Sequence, residues 1–101
     1  MALLEISVVP LGTATPSIGN YIADVVLACK KSKVKYRLTD MGTIVEGRPD
    51  DLFKLARKLH KTPFKKRGVK RVVTTLTIDD RRDKKVRLDG KVSSVMARIG
   101  G

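Results

Sequence analysis

VKYRLTDMGTIVEG, residues 34–47, holds two short runs with a turn between them, and its reading decides the topology of the whole chain. Val34, Tyr36 and Leu38 alternate with Lys35, Arg37 and Thr39, the two-residue period of a strand with one wet or specialised face. Asp40 to Gly42 supplies turn residues, and TIVEG at 43–47 returns as the second arm of a hairpin. A helical pattern flanks this hairpin on each side, and a strand pattern lies beyond each helix.

Toward the N-terminus, Ile18, Ile22, Val25 and Cys29 recur at helical steps and draw one apolar stripe that ends near Ser32. Thr15 is the expected N-cap, with Pro16 at the first helical position, where a missing N–H costs nothing. Before it, LLEISVV at 3–9 sets Leu4, Ile6 and Val8 against Glu5, Ser7 and Val9, a half-buried strand that Pro10 and Gly12 should stop. Toward the C-terminus, Pro49, Asp50 and Asp51 open a helix whose stripe is Leu52, Leu55 or Ala56, and Leu59. Pro63 should end or kink it near Thr62, with Phe64 tucking back onto the core. VVTTLTI at 72–78 is a strand with Val72, Thr74, Leu76 and Ile78 on one face and Val73, Thr75 and Thr77 on the other. A charged loop, DDRRDKK, then leads to a short helix marked by Val92, Val95, Met96 and Ile99, with Asp89 as its expected cap.

The order β-α-β-β-α-β-α predicts one α+β domain over residues 1–101: a ferredoxin-like βαββαβ sandwich with an additional short C-terminal helix. Both main helices should cover one sheet face, with strand order 4-1-3-2. The other face should carry Glu5, Ser7 and Val9 with Val73, Thr75 and Thr77. The third strand should add Thr43 and Val45 or, if a bulge shifts its phase, Ile44 and Glu46. Small β-branched and hydroxyl side chains suit two stacked sheets, so this face reads as a subunit interface with room for a small polar ligand. The plainer reading is that Thr simply favours strands.

The chain has 22 Lys and Arg against 10 Asp and Glu, a formal charge of +12, which makes a nucleic acid an obvious partner to weigh. The RNA-binding relatives of this topology stack bases on aromatics of strands one and three. All four aromatics here, Tyr21, Tyr36, Phe53 and Phe64, fall elsewhere, and no GxxG loop is present, so only non-specific binding through the basic second helix and the tails is expected. Acylphosphatases place an Arg in the loop after strand one, whereas GTATP at 12–16 has none. Asp79, Asp80 and Asp83 alternate with Arg81 and Arg82 and read as a salt-bridged loop before a magnesium site. His60 is a lone surface or helix-edge residue, and Cys29 lies on a packing stripe. No catalytic residue, metal or cofactor is therefore expected. No apolar run approaches the roughly 18 to 20 residues of a membrane span, and MALLEISVVPLG lacks the basic start of a secretory signal, so the expected location is the cytoplasm.

Three blocks together, EISVVPLGT at 5–13, YRLTDMGTIVEG at 36–47 and RVVTTLTIDDRRDK at 71–84, resemble the small thiamine-binding protein family over nearly the whole chain. The resemblance implies dimers that assemble into homotetramers through their sheets, and binding of thiamine or its hydroxymethylpyrimidine portion. A pyrimidine needs a flat slot, apolar walls, and donors and acceptors for its ring nitrogens and amino group. Thr39, Met41 and Thr43, with Ser7, Val9 and Thr75 in the proposed sheet, are the residues that could supply these. Gly42 would let a ligand approach the backbone, and Glu46 could accept from an amino group or face a thiazolium. Each also has a structural role open to it: Ser7 and Thr75 as interface hydroxyls, Met41 as a gap filler, Glu46 as partner to an Arg. Residues 54–71, almost wholly basic, and the interruption at Pro63 depart from the family's more acidic second helix. They leave room for a phosphorylated ligand or for incidental binding to polyanions. A purely structural assembly protein is the remaining alternative.

Overall fold

The computed structural model describes residues 1–100. The elements run β1 (Ala2–Leu11), α1 (Gly19–Lys31), β2 (Lys35–Leu38), β3 (Thr43–Gly47), α2 (Pro49–Lys61), a 3-10 turn (Thr62–Lys65), β4 (Arg71–Asp79) and α3 (Gly90–Arg98). The strands form one antiparallel sheet in the order β2-β3-β1-β4, the ferredoxin-like arrangement, with α3 as the C-terminal addition.

The apolar stripes meet on one side of the sheet. Leu4, Ile6 and Val8 of β1 and Val45 of β3 are buried with Val25 and Cys29 of α1 and with Leu52, Leu55, Ala56 and Leu59 of α2. Burial also raises the pKa of the Cys29 thiol, so this sulfur packs as a small hydrophobe. Pro49 starts α2, and α2 ends at Lys61, where Pro63 tightens the chain into the 3-10 turn. Lys66 fastens that turn to α1, reaching the Asp24 carboxylate at 3.4 Å and lying over the Tyr21 ring.

Several local expectations are corrected. Pro10 does not stop β1, which continues to Leu11 and pairs Pro10 with Val72. β3 accompanies β1 only as far as Ile6, so Pro10 sits where β1 is itself an edge and its missing donor breaks no ladder on that side. Thr15 does not cap α1. The Thr13 hydroxyl donates to the Thr15 carbonyl at 2.7 Å, and the Thr15 hydroxyl accepts from the Ser17 N–H at 3.2 Å. These local turns hold residues 13–17 outside the helix, which begins after Ile18. Phe64 stays exposed in a T-shaped contact with the His60 ring, while Pro63 takes the buried place. His60 does sit at the helix edge, half-buried, where its Nδ1 lies 2.6 Å from the Thr74 hydroxyl and ties α2 to β4.

α3 forms where expected, yet none of its residues is buried. It lengthens the molecule to 47 × 30 × 20 Å, with a radius of gyration of 15.1 Å. A compact chain of this length would have about 13 Å. Asp89 precedes α3 in a left-handed conformation (φ 66°), and its carboxylate pairs with Arg37 rather than capping the helix.

Candidate functional site

The pleat assigns the sheet's second face without ambiguity. Residues directly opposite one another share a face, so Glu5 pairs with Thr77, Ser7 with Thr75, and Val9 with Val73 across β1 and β4. On the other flank Glu5 stands beside Ile44, and Ile44 beside Arg37. Thr75, Thr77, Glu5 and Val73 are exposed, and Ser7, Val9 and Ile44 are half-buried. The third strand therefore presents Ile44 and Glu46, with no bulge needed. Thr43 and Val45 point to the helices, and Thr43 is 3% exposed.

The expected site residues separate into groups. Ser7, Val9, Thr75 and Glu46 do share the open face. Thr39, Met41 and Gly42 form the β2–β3 turn beside its Ile6–Ser7 level, and Thr43 lies behind the sheet. The turn is built by Thr39. Its hydroxyl donates to the Gly42 carbonyl at 2.8 Å and accepts from the N–H groups of Met41 and Gly42 at 3.3 and 3.2 Å. Met41 at its tip is 83% exposed. The backbone that comes close to Gly42 is that of β1: a Cβ at this position would lie 2.9 Å from the Ile6 carbonyl oxygen, so only glycine fits the turn against the strand.

Glu46 has a partner that the alternation could not show. Its carboxylate accepts from the Leu88 N–H at 2.8 Å, where the sequence had suggested an Arg. Arg37 pairs with Asp89, and Lys91 reaches Asp79 at 2.6 Å. These contacts tie the segment 86–89 over the Leu3–Glu46–Asp79 end of the open face, and Val86 and Leu88 are buried beneath it. The alternating apolar residues of V-R-L at 86–88 were the only sign of this in the sequence. With Glu46 engaged, Glu5 is the acid that remains on the uncovered part of the face.

At the other end, Val9 joins the loop 12–16 in lining a cleft of ≈ 370 Å3. The charged loop after β4 is salt-bridged as expected: Arg81 donates to Asp83 at 2.6 and 2.9 Å, and Arg82 to Asp80 at 3.1 Å. The Arg81 hydrogen bond holds the Asp83 carboxyl below its ordinary range. No helix of the described residues is long and apolar enough to cross a membrane.

In class, then, the chain is a ferredoxin-like sandwich with one sheet face packed by helices and the other left to hydroxyls, acids and β-branched side chains. Comparison with known proteins narrows that class. The chain belongs to the thiamine-binding protein family, which it matches over residues 4–96. It is 44% identical over 99 residues to the UPF0045 protein YqgV of Bacillus subtilis, covering 94% of each chain. It is 41% identical over 100 residues to a UPF0045 protein of Methanothermobacter thermautotrophicus, covering 98% of this chain and 100% of that one. The crystal structure of protein MJ1052 of Methanocaldococcus jannaschii superposes with a TM-score of 0.84 at 32% identity, over 93% of this chain and 94% of that one.

Proposed function

We propose that the protein is a non-catalytic, homo-oligomeric binder of thiamine or its hydroxymethylpyrimidine portion, acting in the cytoplasm, where a reducing environment suits the free buried thiol of Cys29. The observation that carries this reading is the uncovered patch of Glu5, Ser7, Val9, Val73, Thr75 and Thr77 on a sheet whose other face is packed. Ser7 and Thr75 supply hydroxyls that both donate and accept, Val9 and Val73 supply apolar walls, and Glu5 accepts from an exocyclic amino group. The turn at 39–42 bounds the slot beside β1, with Met41 free to close over a flat ring. A ring lying on one bare sheet would be half in water, so the slot is completed by the sheet of a second copy. α3 supports the same assembly, because Val92, Val95, Met96 and Ile99 form an exposed apolar stripe, with Ile99 68% exposed. Dimers joined in this way, and paired again, give the tetramer.

A thermal-shift panel of thiamine, its phosphates and hydroxymethylpyrimidine tests the ligand. At 100 times its dissociation constant a ligand adds about 2.7 kcal/mol to stability, a visible rise in melting temperature. Absence of any shift across the panel removes the ligand and leaves a structural assembly protein. A second reading, non-specific binding of nucleic acid, rests on the exposed cations Lys54, Arg57, Lys58, Lys61 and Lys65 along α2 and the 3-10 turn. It requires affinity that falls steeply between about 50 and 200 mM salt.

A further inference from the structure

A groove of ≈ 500 Å3 lies between the 81–87 loop and α3, away from the patch just described. Asp79, which anchors the groove's Lys91, is four positions along β4 from Thr75, roughly 13 Å. Arg81, Lys84, Lys85, Arg87, Lys91 and Arg98 line it, and no carboxylate of the described residues does. Arg81 and Lys91 are neutralised by Asp83 and Asp79, which stand outside the lining. Among the described residues Lys84, Lys85, Arg87 and Arg98 make no ion pair. Asp89, the acid beside this cluster in sequence, turns its carboxylate to Arg37.

Four uncompensated cations around one concavity repel one another, and a concave low-dielectric wall focuses their potential. A compact multivalent anion relieves that repulsion, whereas a single carboxylate would leave most of it. Ser94 adds a hydroxyl to the lining, and Val86 and Val95 add apolar wall beside the charges. The volume is that of a small-molecule site. The cations of α2 and the 3-10 turn are, by contrast, spread along an exposed layer; Lys58 and Lys65 share a cleft with Lys31 of α1, but the Asp24 carboxylate also lines it.

We infer that this groove binds an oligophosphate group, either free or at the end of a small organic phosphate ester. The guanidinium of Arg87 or Arg98 offers forked donors to phosphate oxygens, and Lys84 and Lys85 act as point charges. The site is independent of the thiamine reading, because uncharged hydroxymethylpyrimidine reports on the sheet face alone.

Calorimetric titration of the full-length chain with inorganic pyrophosphate, with ADP and with a short single-stranded RNA tests it. The measurement is repeated on two triple variants of equal charge: K84Q/K85Q/R87Q in the groove and K58Q/K61Q/K65Q on the helical layer. All six residues stand in the open, and a melting curve of each variant reports whether it folds. Pyrophosphate binding should weaken at least about tenfold in the groove variant, as loss of charge-assisted hydrogen bonds requires, and stay within about twofold in the helical one. ADP bound more tightly than pyrophosphate assigns an organic ester, and equal binding assigns the phosphate chain alone. Equal losses in both variants, or no pyrophosphate binding by the unaltered chain at millimolar concentration, overturn the inference. So does RNA that binds more tightly than either phosphate and is released by the helical variant rather than the groove variant.

Discussion

The two faces of one sheet are made by the same ten residues of β1, yet they obey different rules. Leu4, Ile6 and Val8 are large, aliphatic and buried under two helices, so their identity is set by volume. Glu5, Ser7 and Val9, one residue out of phase, face Thr77, Thr75 and Val73 with no helix above them. A face that only met solvent would carry more long charged side chains, and a face that only filled a core would carry few hydroxyls. That mixture is what the proposed ligand and partner copy would require of the open face. One end of it is already closed by the chain's own segment 86–89.

The largest expected effects separate packing from recognition. Leu59→Ala, at a side chain with 0% exposure, should cost about 2–5 kcal/mol in a urea unfolding curve, the range for a core truncation. Equivalent damage from Thr75→Ala would mean that the open face is a second core, and the contrast between the faces would fail. Thr75→Arg sets a charge in the middle of the proposed contact between copies. Light scattering should then show the mass falling toward a dimer or monomer, with affinity between copies reduced at least about tenfold, while circular dichroism stays unchanged. A mutant that keeps its assembly would place the interface elsewhere.

Smaller effects sharpen the boundary of the open patch. Glu46→Ala removes the acceptor of the Leu88 N–H and should cost about 1–2 kcal/mol, read as faster hydrogen exchange across 86–89 with the helical face untouched. Ser7→Ala should leave stability within about 0.5 kcal/mol but weaken ligand binding by about 1 kcal/mol, a roughly fivefold rise in dissociation constant. The least effect belongs to the salt-bridged loop. Arg81 lowers the folded-state pKa of Asp83, so the pair's contribution is present above the carboxyl's unfolded pKa and is lost as pH falls through the lower folded value. Because both groups stand in water, the readout is the Asp83 chemical shift rather than a melting temperature.

Much of this architecture was readable in advance, and the exceptions have physical causes. The T-L-T-I end of β4 shows its two faces because threonines and large aliphatic residues alternate over 75–78, and α2 declares its start at Pro49 and its limit at Pro63. T-I-V-E-G offers no such contrast: Thr43, Ile44 and Val45 all suit either side of a strand, and only pairing with β1 fixes the phase. Thr15 carries a cap residue's chemistry but spends its hydroxyl on a local turn. The open-face positions of Ser7, Val9 and Thr75 followed from alternation, while their place in a ligand site belongs to the proposed function. Thr43 went to the core with its strand's phase. The work of Glu46 depends on an amide 42 residues away, a contact that no local pattern records.

The central claim is that ligand and partner copy meet on the hydroxyl-lined face. Amide chemical-shift mapping during titration with hydroxymethylpyrimidine addresses it directly. The account predicts shifts at Ser7, Val9, Thr75 and Thr77 and at the 39–42 turn, with Leu55 and Leu59 unmoved. Shifts confined to the helical layer, or none at saturating ligand, would contradict it.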